Sequence, residues 1–400
     1  MEYLANTDQL VRDGVLTGDQ ASEIQARSRE TMMTLAINAL LVGGIITATL
    51  GLIFWLAEPV PVAIAGLLAL VAGALVLRRG SDKYRIFGNA AALIGAGMLL
   101  GGASIELVKR LEDGAAIYLF LTGGAVTAAA AYAYRRGGEG LQFLTGSIAL
   151  MGGAVHLAGL IMFEPGGLGA TFAYGYSAAV IFGLGLLVDV RLISALAIVP
   201  LAQMLDTSTA YFRAAYVFYS PEPALSILQM AAVIALCLWA SARFAPRIAR
   251  HFGVLMMLGF VVLNLCFLVG SLWGDTPGDT LWGISTLSRS DYQDYEAYNA
   301  AYEAYRASAL SISAGAFSII WALVLAAVVL WAAINIRRGP LNAALTFAAI
   351  HAYTQAFETF GAEPLVFALG GLAAIPVAWG LMQVNASMKA REGMQVSNGS

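Results

Sequence analysis

The chain reads as an all-α, polytopic transmembrane helical bundle. Three observations predict this. Of its 400 residues, 59% are hydrophobic and only 12% are charged, about half the charged share of a soluble domain. Apolar runs of about 20 residues recur along it, each long enough as a helix to cross a bilayer core about 30 Å thick. The 22 basic residues cluster in the polar gaps between the runs, which is where membrane orientation is encoded. A net charge of −3 gives no basic field for nucleic acid, so the bilayer is the first partner expected and nucleic acid is not. Cys237 and Cys266 sit in apolar runs and read as small buried hydrophobes, not a disulfide framework.

The chain opens with a polar segment over 1–32. A secretory signal would start basic and turn apolar at once, so the first apolar run is expected to stay as a span. Within "LVRDGVLTGDQASEIQARS", Gly14 interrupts a short helix. Thr17 followed by Gln20 has the spacing of a capping box, in which each side chain satisfies an orphan backbone N–H of the other. Leu10, Leu16, Ala21 and Ile24 supply a small apolar seam, which gives a cytosolic helical hairpin over 1–32. These residues, with Gly14, Thr17 and Gln20, resemble the N-terminal signature of a family of functionally uncharacterised bacterial multi-pass membrane proteins. The resemblance implies a bacterial inner (cytoplasmic) membrane location. It implies no activity, ligand or catalytic residue.

A bundle over 33–384 follows, read as twelve spans at 33–56, 60–77, 86–107, 115–134, 141–162, 172–188, 192–206, 224–242, 253–273, 311–336, 341–360 and 364–384, before a flexible cytosolic tail over 385–400. With both termini cytoplasmic, all basic residues except Lys109, Arg110, Arg213, Arg289 and Arg306 fall on the inside. The seventh span is short. Removing it would put Arg243, Arg247 and Arg250 outside, so it is kept. Three inside turns begin alike, at Arg78-Arg79-Gly80, Arg135-Arg136-Gly137 and Arg337-Arg338-Gly339. Arginine suits helix C-termini and glycine the position beyond them; duplicated hairpins are the alternative. Gly97 and Gly101 form a Gly-x-x-x-Gly pair of the kind that lets membrane helices pack closely.

The largest loop, 274–310, falls on the non-cytoplasmic side. It opens "GDTPGDT", in which Asp275 and Asp279 read as turn residues rather than cation ligands. Tyr292, Tyr295, Tyr298, Tyr302 and Tyr305 then occupy one arc of a helix. That helix is expected to lie at the outer interface, where tyrosine keeps its ring apolar and its hydroxyl wet. A lid over a cavity and a docking surface for a protein partner are the alternatives.

Ionisable groups inside the apolar phase each raise a functional hypothesis. His351, Gln355 and Glu358 share one face of the eleventh span. His156, Glu106 and Gln203 stand at comparable depth or further out in the fifth, third and seventh. Pro200 interrupts the seventh span and frees a backbone carbonyl. Together these residues predict a polar cavity in the outer half, where a small molecule or lipid would bind and His351 and Glu358 would exchange a proton. The plain alternative is a structural hydrogen-bond network. No Gly-x-Ser-x-Gly elbow or zinc-protease helix occurs, so neither enzymatic activity, a metal nor a cofactor is expected. Two functions are carried forward: a permease-like binder or transporter, and a non-transporting scaffold or accessory subunit that uses the N-terminal hairpin or the tyrosine loop to hold a protein partner.

Overall fold

The computed structural model describes residues 7–29, 58–79, 85–212, 215–281 and 294–361, with scattered positions in 32–51 and 363–383. The spans expected at 33–56 and 364–384 lie largely outside the described residues, and Tyr292 and the 385–400 tail lie wholly outside them. Among the described residues, eight helices are long and apolar enough to cross a membrane. The protein is therefore a multi-pass membrane protein in contact with lipid. The chain divides into two compact units, Met1–Glu164 and Pro165–Ser400.

The first unit begins with α1 (Thr7–Arg12) and α2 (residues 18–29). The capping box forms: Thr17 N–H donates to Gln20 Oε1 at 3.0 Å, and Gln20 N–H to Thr17 Oγ1 at 3.2 Å. Gln25 Nε2 donates to Thr7 Oγ1 at 2.8 Å, tying the two helices together over the buried Ala21. Four membrane helices follow: α3 (Pro59–Arg79), α4 (Arg85–Leu111), α5 (Ala115–Arg136) and α6 (Glu139–Ile161). They pair as the hairpins α3–α4 and α5–α6, and α4 packs on α6 through Ala92, Leu93 and Leu144.

Glycine sets how close the pairs come. A Cβ on Gly95 would lie 2.2 Å from Leu70 N, and one on Gly66 2.5 Å from Leu99 N. In the second hairpin, a Cβ on Gly123 would lie 2.3 Å from His156 N, and one on Gly159 2.3 Å from Phe120 N. The α3–α4 seam runs through Gly66 and Gly73 on one helix and Gly88, Gly95 and Gly102 on the other. A seven-residue repeat of contact positions imposes a left-handed supercoil. The Gly97 and Gly101 pair lies off this seam: at 100° per residue, Gly97 stands about 160° and Gly101 about 120° around α4 from Gly95.

The second unit holds α7 (Leu168–Val188), α8 (Arg191–Leu196), α9 (Ile198–Gln203), α10 (Pro223–Arg243), α11 (Pro246–Trp273), α12 (Tyr295–Ser308), α13 (Ala314–Ile334) and α14 (Arg338–Phe360). α10 and α11 each start on a proline, whose missing N–H would have been an orphan anyway. The core is Ala202, Met230, Leu263, Phe267, Phe317, Trp321, Leu325, Ala344 and Phe347.

The all-α bundle carries one short antiparallel hairpin in this unit, in which β1 (Ser208–Phe212) and β2 (Ala215–Tyr219) pair with Phe212 opposite Ala215. Its threonine, valine and aromatic content fits a pleated surface better than a helix. The seventh span is not one helix. Pro200 offers no N–H to the carbonyl of Leu196, and its ring collides with that carbonyl, so α8 ends at Leu196. The apolar stretch Arg191–Gln203 is too short to cross a bilayer as a single helix. The chain nevertheless travels between opposite ends of the α10–α11 pair here. Ser194 bonds to His251 near the start of α11, and Thr207 bonds to Ser226 near the start of α10.

Candidate functional site

The site is built where α11 ends. Gly274 has φ +70°, and a Cβ there would lie 2.7 Å from Ile312 O, so conformation and space both require glycine. The turn lets Asp275 pair with the segment before α13: Asp275 N–H donates to Ile312 O at 2.9 Å, and Ile312 N–H to Asp275 O at 2.8 Å. The Asp275 carboxylate then faces the start of α10, where its Oδ2 accepts from Ala224 N–H at 2.8 Å. That N–H is an orphan of the helix N-terminus, a place that favours negative charge.

Behind it stands Glu222, fully buried. Its carboxylate accepts from Gly278 N–H at 2.6 Å and from Thr280 N–H and Oγ1, both at 2.7 Å. Asp279 completes the group; its Oδ1 is buried and has no hydrogen-bond partner among the described residues. Asp275 and Asp279 border a pocket of about 310 Å³ lined by Trp273, Asp275, Asp279, Tyr302, Ser311 and Ser313, among others, with two carboxylates and no basic side chain among the described lining residues. Burial pushes the Asp275 carboxyl up to about 6, against the Ala224 hydrogen bond; the Glu222 and Asp279 charges add to the rise.

α12 stands beside this pocket. Its N-cap, Asp294, accepts from Ala297 N–H at 2.7 Å. The Tyr298 and Tyr302 rings stack with centroids 6.5 Å apart, and Tyr302 lines the pocket. Tyr305 is close enough that, beyond desolvation, Asp279 and Glu222 both raise its phenol pKa. Tyr295 is 57% exposed. The tyrosine helix therefore closes one side of a polar pocket with part of its arc and leaves the rest open.

The other expected site residues are divided between the two units. Glu106 pairs with Arg110 one turn along α4. His156 is buried on α6, with Nδ1 2.6 Å from Phe120 O and its ring 4.1 Å from that of Phe120. These two belong to the first unit. In the second, Gln203 Nε2 donates to Asp206 Oδ1 at 3.0 Å. His351 meets Trp321 edge-on at 4.7 Å, and the indole donates to Asn264 Oδ1 at 2.8 Å. His351 Nδ1 and Gln355 Nε2 are buried without a hydrogen-bond partner among the described residues. Glu358 is exposed, and seven residues of helix separate it from His351 by about 10 Å of rise, too far for direct proton exchange.

A second polar cluster was not anticipated. Ser194 Oγ lies 2.7 Å from His251 Nδ1, His251 Nε2 lies 2.9 Å from Asp189 Oδ1, and Asp189 Oδ2 holds Arg250 at 2.6 Å and Arg247 at 3.2 Å. Asp189 only accepts, so the His251 Nε2–H donates to it. That bond, with help from the two arginines, holds the Asp189 carboxyl below its ordinary range. The order Ser–His–Asp invites a nucleophile reading, which burial rejects. Ser194 is fully buried, and a Cβ on Gly185 would sit 2.2 Å from its Oγ, leaving no room for a substrate carbonyl. The cluster fastens the end of α7 and the start of α8 to the start of α11.

The sequence reading passed over Glu222, Asp189, Ser194 and His251. Glu222 lies in "SPEP", where two prolines hide an otherwise conspicuous acid, and each of the others finds its main partner about 60 residues away. No group of three or more His, Cys, Asp or Glu side chains able to hold a metal ion occurs among the described residues. Set against family models, curated proteins and solved structures, the chain matches none.

Proposed function

We propose that this multi-pass membrane protein is a permease-like binder that captures a small organic cation in the pocket beneath α12. The observation that carries the reading is the pocket lining itself, with two carboxylates, a tyrosine ring and no basic side chain among the described lining residues. A protonated or quaternary amine satisfies all of these at once. Its charge is matched by Asp275 and Asp279, and its apolar surface sits against the face of Tyr302, a cation–π contact. The volume suits a small molecule rather than a drug-sized one. By the distribution of arginine and lysine, both termini face the cytoplasm and the pocket opens on the other side. The N-terminal hairpin supports a bacterial inner-membrane assignment.

The test is binding of tetramethylammonium and of a short alkylamine to the purified full chain, followed by calorimetry. Saturable binding is expected, weakened at least tenfold in Asp279→Asn and in Tyr302→Ala. Equal binding by the parent and Asp279→Asn would remove the pocket from the reading.

A scaffold role is favoured by a different observation: Val15 and Ile24 of the hairpin are 65% and 44% exposed. In that case deleting residues 7–29 releases a stoichiometric second protein from mildly extracted complexes. An unchanged complement of proteins would rule it out.

A further inference from the structure

At the opposite end of the second unit from the acidic pocket, the helix ends frame an apolar slot. Its volume is about 210 Å³, and its lining is Ile234 and Leu238 of α10, Met256, Met257 and Phe260 of α11, Val328 and Trp331 of α13, and Pro340 of α14. The exposed lining is entirely apolar. Trp331 and Leu238 are 43% and 44% exposed, so the slot opens on the lipid-facing side of the helices. From Arg243 to Ile234 along α10, it reaches inward about 13 Å at 1.5 Å per residue.

The rim is basic. Arg243 closes α10 with its guanidinium 5.9 Å from the Trp239 ring. Arg337 is exposed immediately before α14, its backbone N–H donating to Ala332 O at 2.8 Å. Among the other arginines of this end, Arg247 and Arg250 are spent on Asp189. No acidic side chain stands among the described lining residues of the slot. Trp239 and Trp331 sit at the level where tryptophan marks the boundary between headgroups and acyl chains.

We propose that this slot binds one acyl chain of an anionic phospholipid, whose phosphate is held by Arg243 and Arg337. The apolar walls explain the chain, and the two arginines, fork-shaped donors suited to phosphate oxygens, explain the sign of the headgroup. A zwitterionic lipid presents the same phosphate with a neutralising ammonium and gains less from the rim. A soluble phosphate gains nothing from the walls.

The test uses the full chain purified in detergent and stripped of lipid, with thermal unfolding followed as lipid is returned. Phosphatidylglycerol is expected to raise the midpoint at a concentration at least tenfold lower than phosphatidylcholine of the same chains, and glycerol phosphate to leave it unchanged. The double variant Arg243→Gln/Arg337→Gln should lose the preference for phosphatidylglycerol while keeping the response to phosphatidylcholine. Met257→Trp, which fills the slot, should weaken both; Val328→Phe serves the same purpose should Met257→Trp not fold. Equal responses to the two lipids, a response to glycerol phosphate alone, or an unchanged preference in the arginine variant would each overturn the proposal.

Discussion

Asp275 shows how a single residue can serve binding at the expense of stability. Its raised pKa means that folding favours the protonated form. The sign follows: native stability is greatest below the ordinary carboxyl range and is lost as pH rises toward 6. Asp275→Asn keeps an oxygen for Ala224 N–H and removes the charge. The variant should unfold at the parent's temperature near pH 3, below the ordinary carboxyl range. At pH 7.5 it should unfold about 2–4 °C higher, for a penalty of about 1 kcal/mol after allowance for the solvent that reaches the site. A midpoint at pH 7.5 no higher than the parent's would contradict the burial argument. The same substitution should weaken amine binding, the usual trade between a charged site and a stable fold. None of this was legible in "GDTPGDT". The two aspartates looked like turn formers, which they also are, and the glutamate behind them arrives from 53 positions upstream.

At the scale of the element, what could be read depended on how local the cause was. The capping box was legible because its donor and acceptor are three residues apart. The arginine-ended helices were legible because composition and length suffice to define them. The break in the seventh span was half legible. Pro200 was visible, but the end it imposes on α8 and the hairpin that follows depend on backbone conflicts that hydropathy does not report. The glycine seam was not legible for a related reason. A Gly-x-x-x-Gly pair is easy to see, whereas a step of seven becomes a pattern only when the partner helix supplies the other half. Gly95→Val and Gly97→Val separate the two. The first drives a side chain into the Leu70 backbone and should destabilise by about 3 kcal/mol or more, above the common range for overpacking. The second should cost under about 1 kcal/mol. Unfolding in mild detergent would measure both, and similar losses for the two would count against the seam.

Taken as a whole, the molecule keeps its polar chemistry at the ends of helices and its close packing between them. In the second unit the acidic pocket stands at one end, and the Asp189 cluster with the arginine-rimmed slot at the other. That polarity was partly written in the sequence, since charge placement alone gathers arginines at one set of helix ends. The local partners of the expected cavity residues were not written there: Glu106 meets Arg110, His156 meets Phe120 and Gln203 meets Asp206.

The broken crossing has a consequence for the surrounding lipid. Leu192, Leu196 and Val199 form one exposed apolar stripe on α8–α9, and the helical stretch behind it is only Arg191–Gln203, about 20 Å long. Along that stripe the bilayer meets an apolar height a third shorter than its own core. Hydrophobic mismatch of this kind is relieved by local thinning. One flank of the protein would then pinch the membrane, and thickness would become a variable to which the second unit responds.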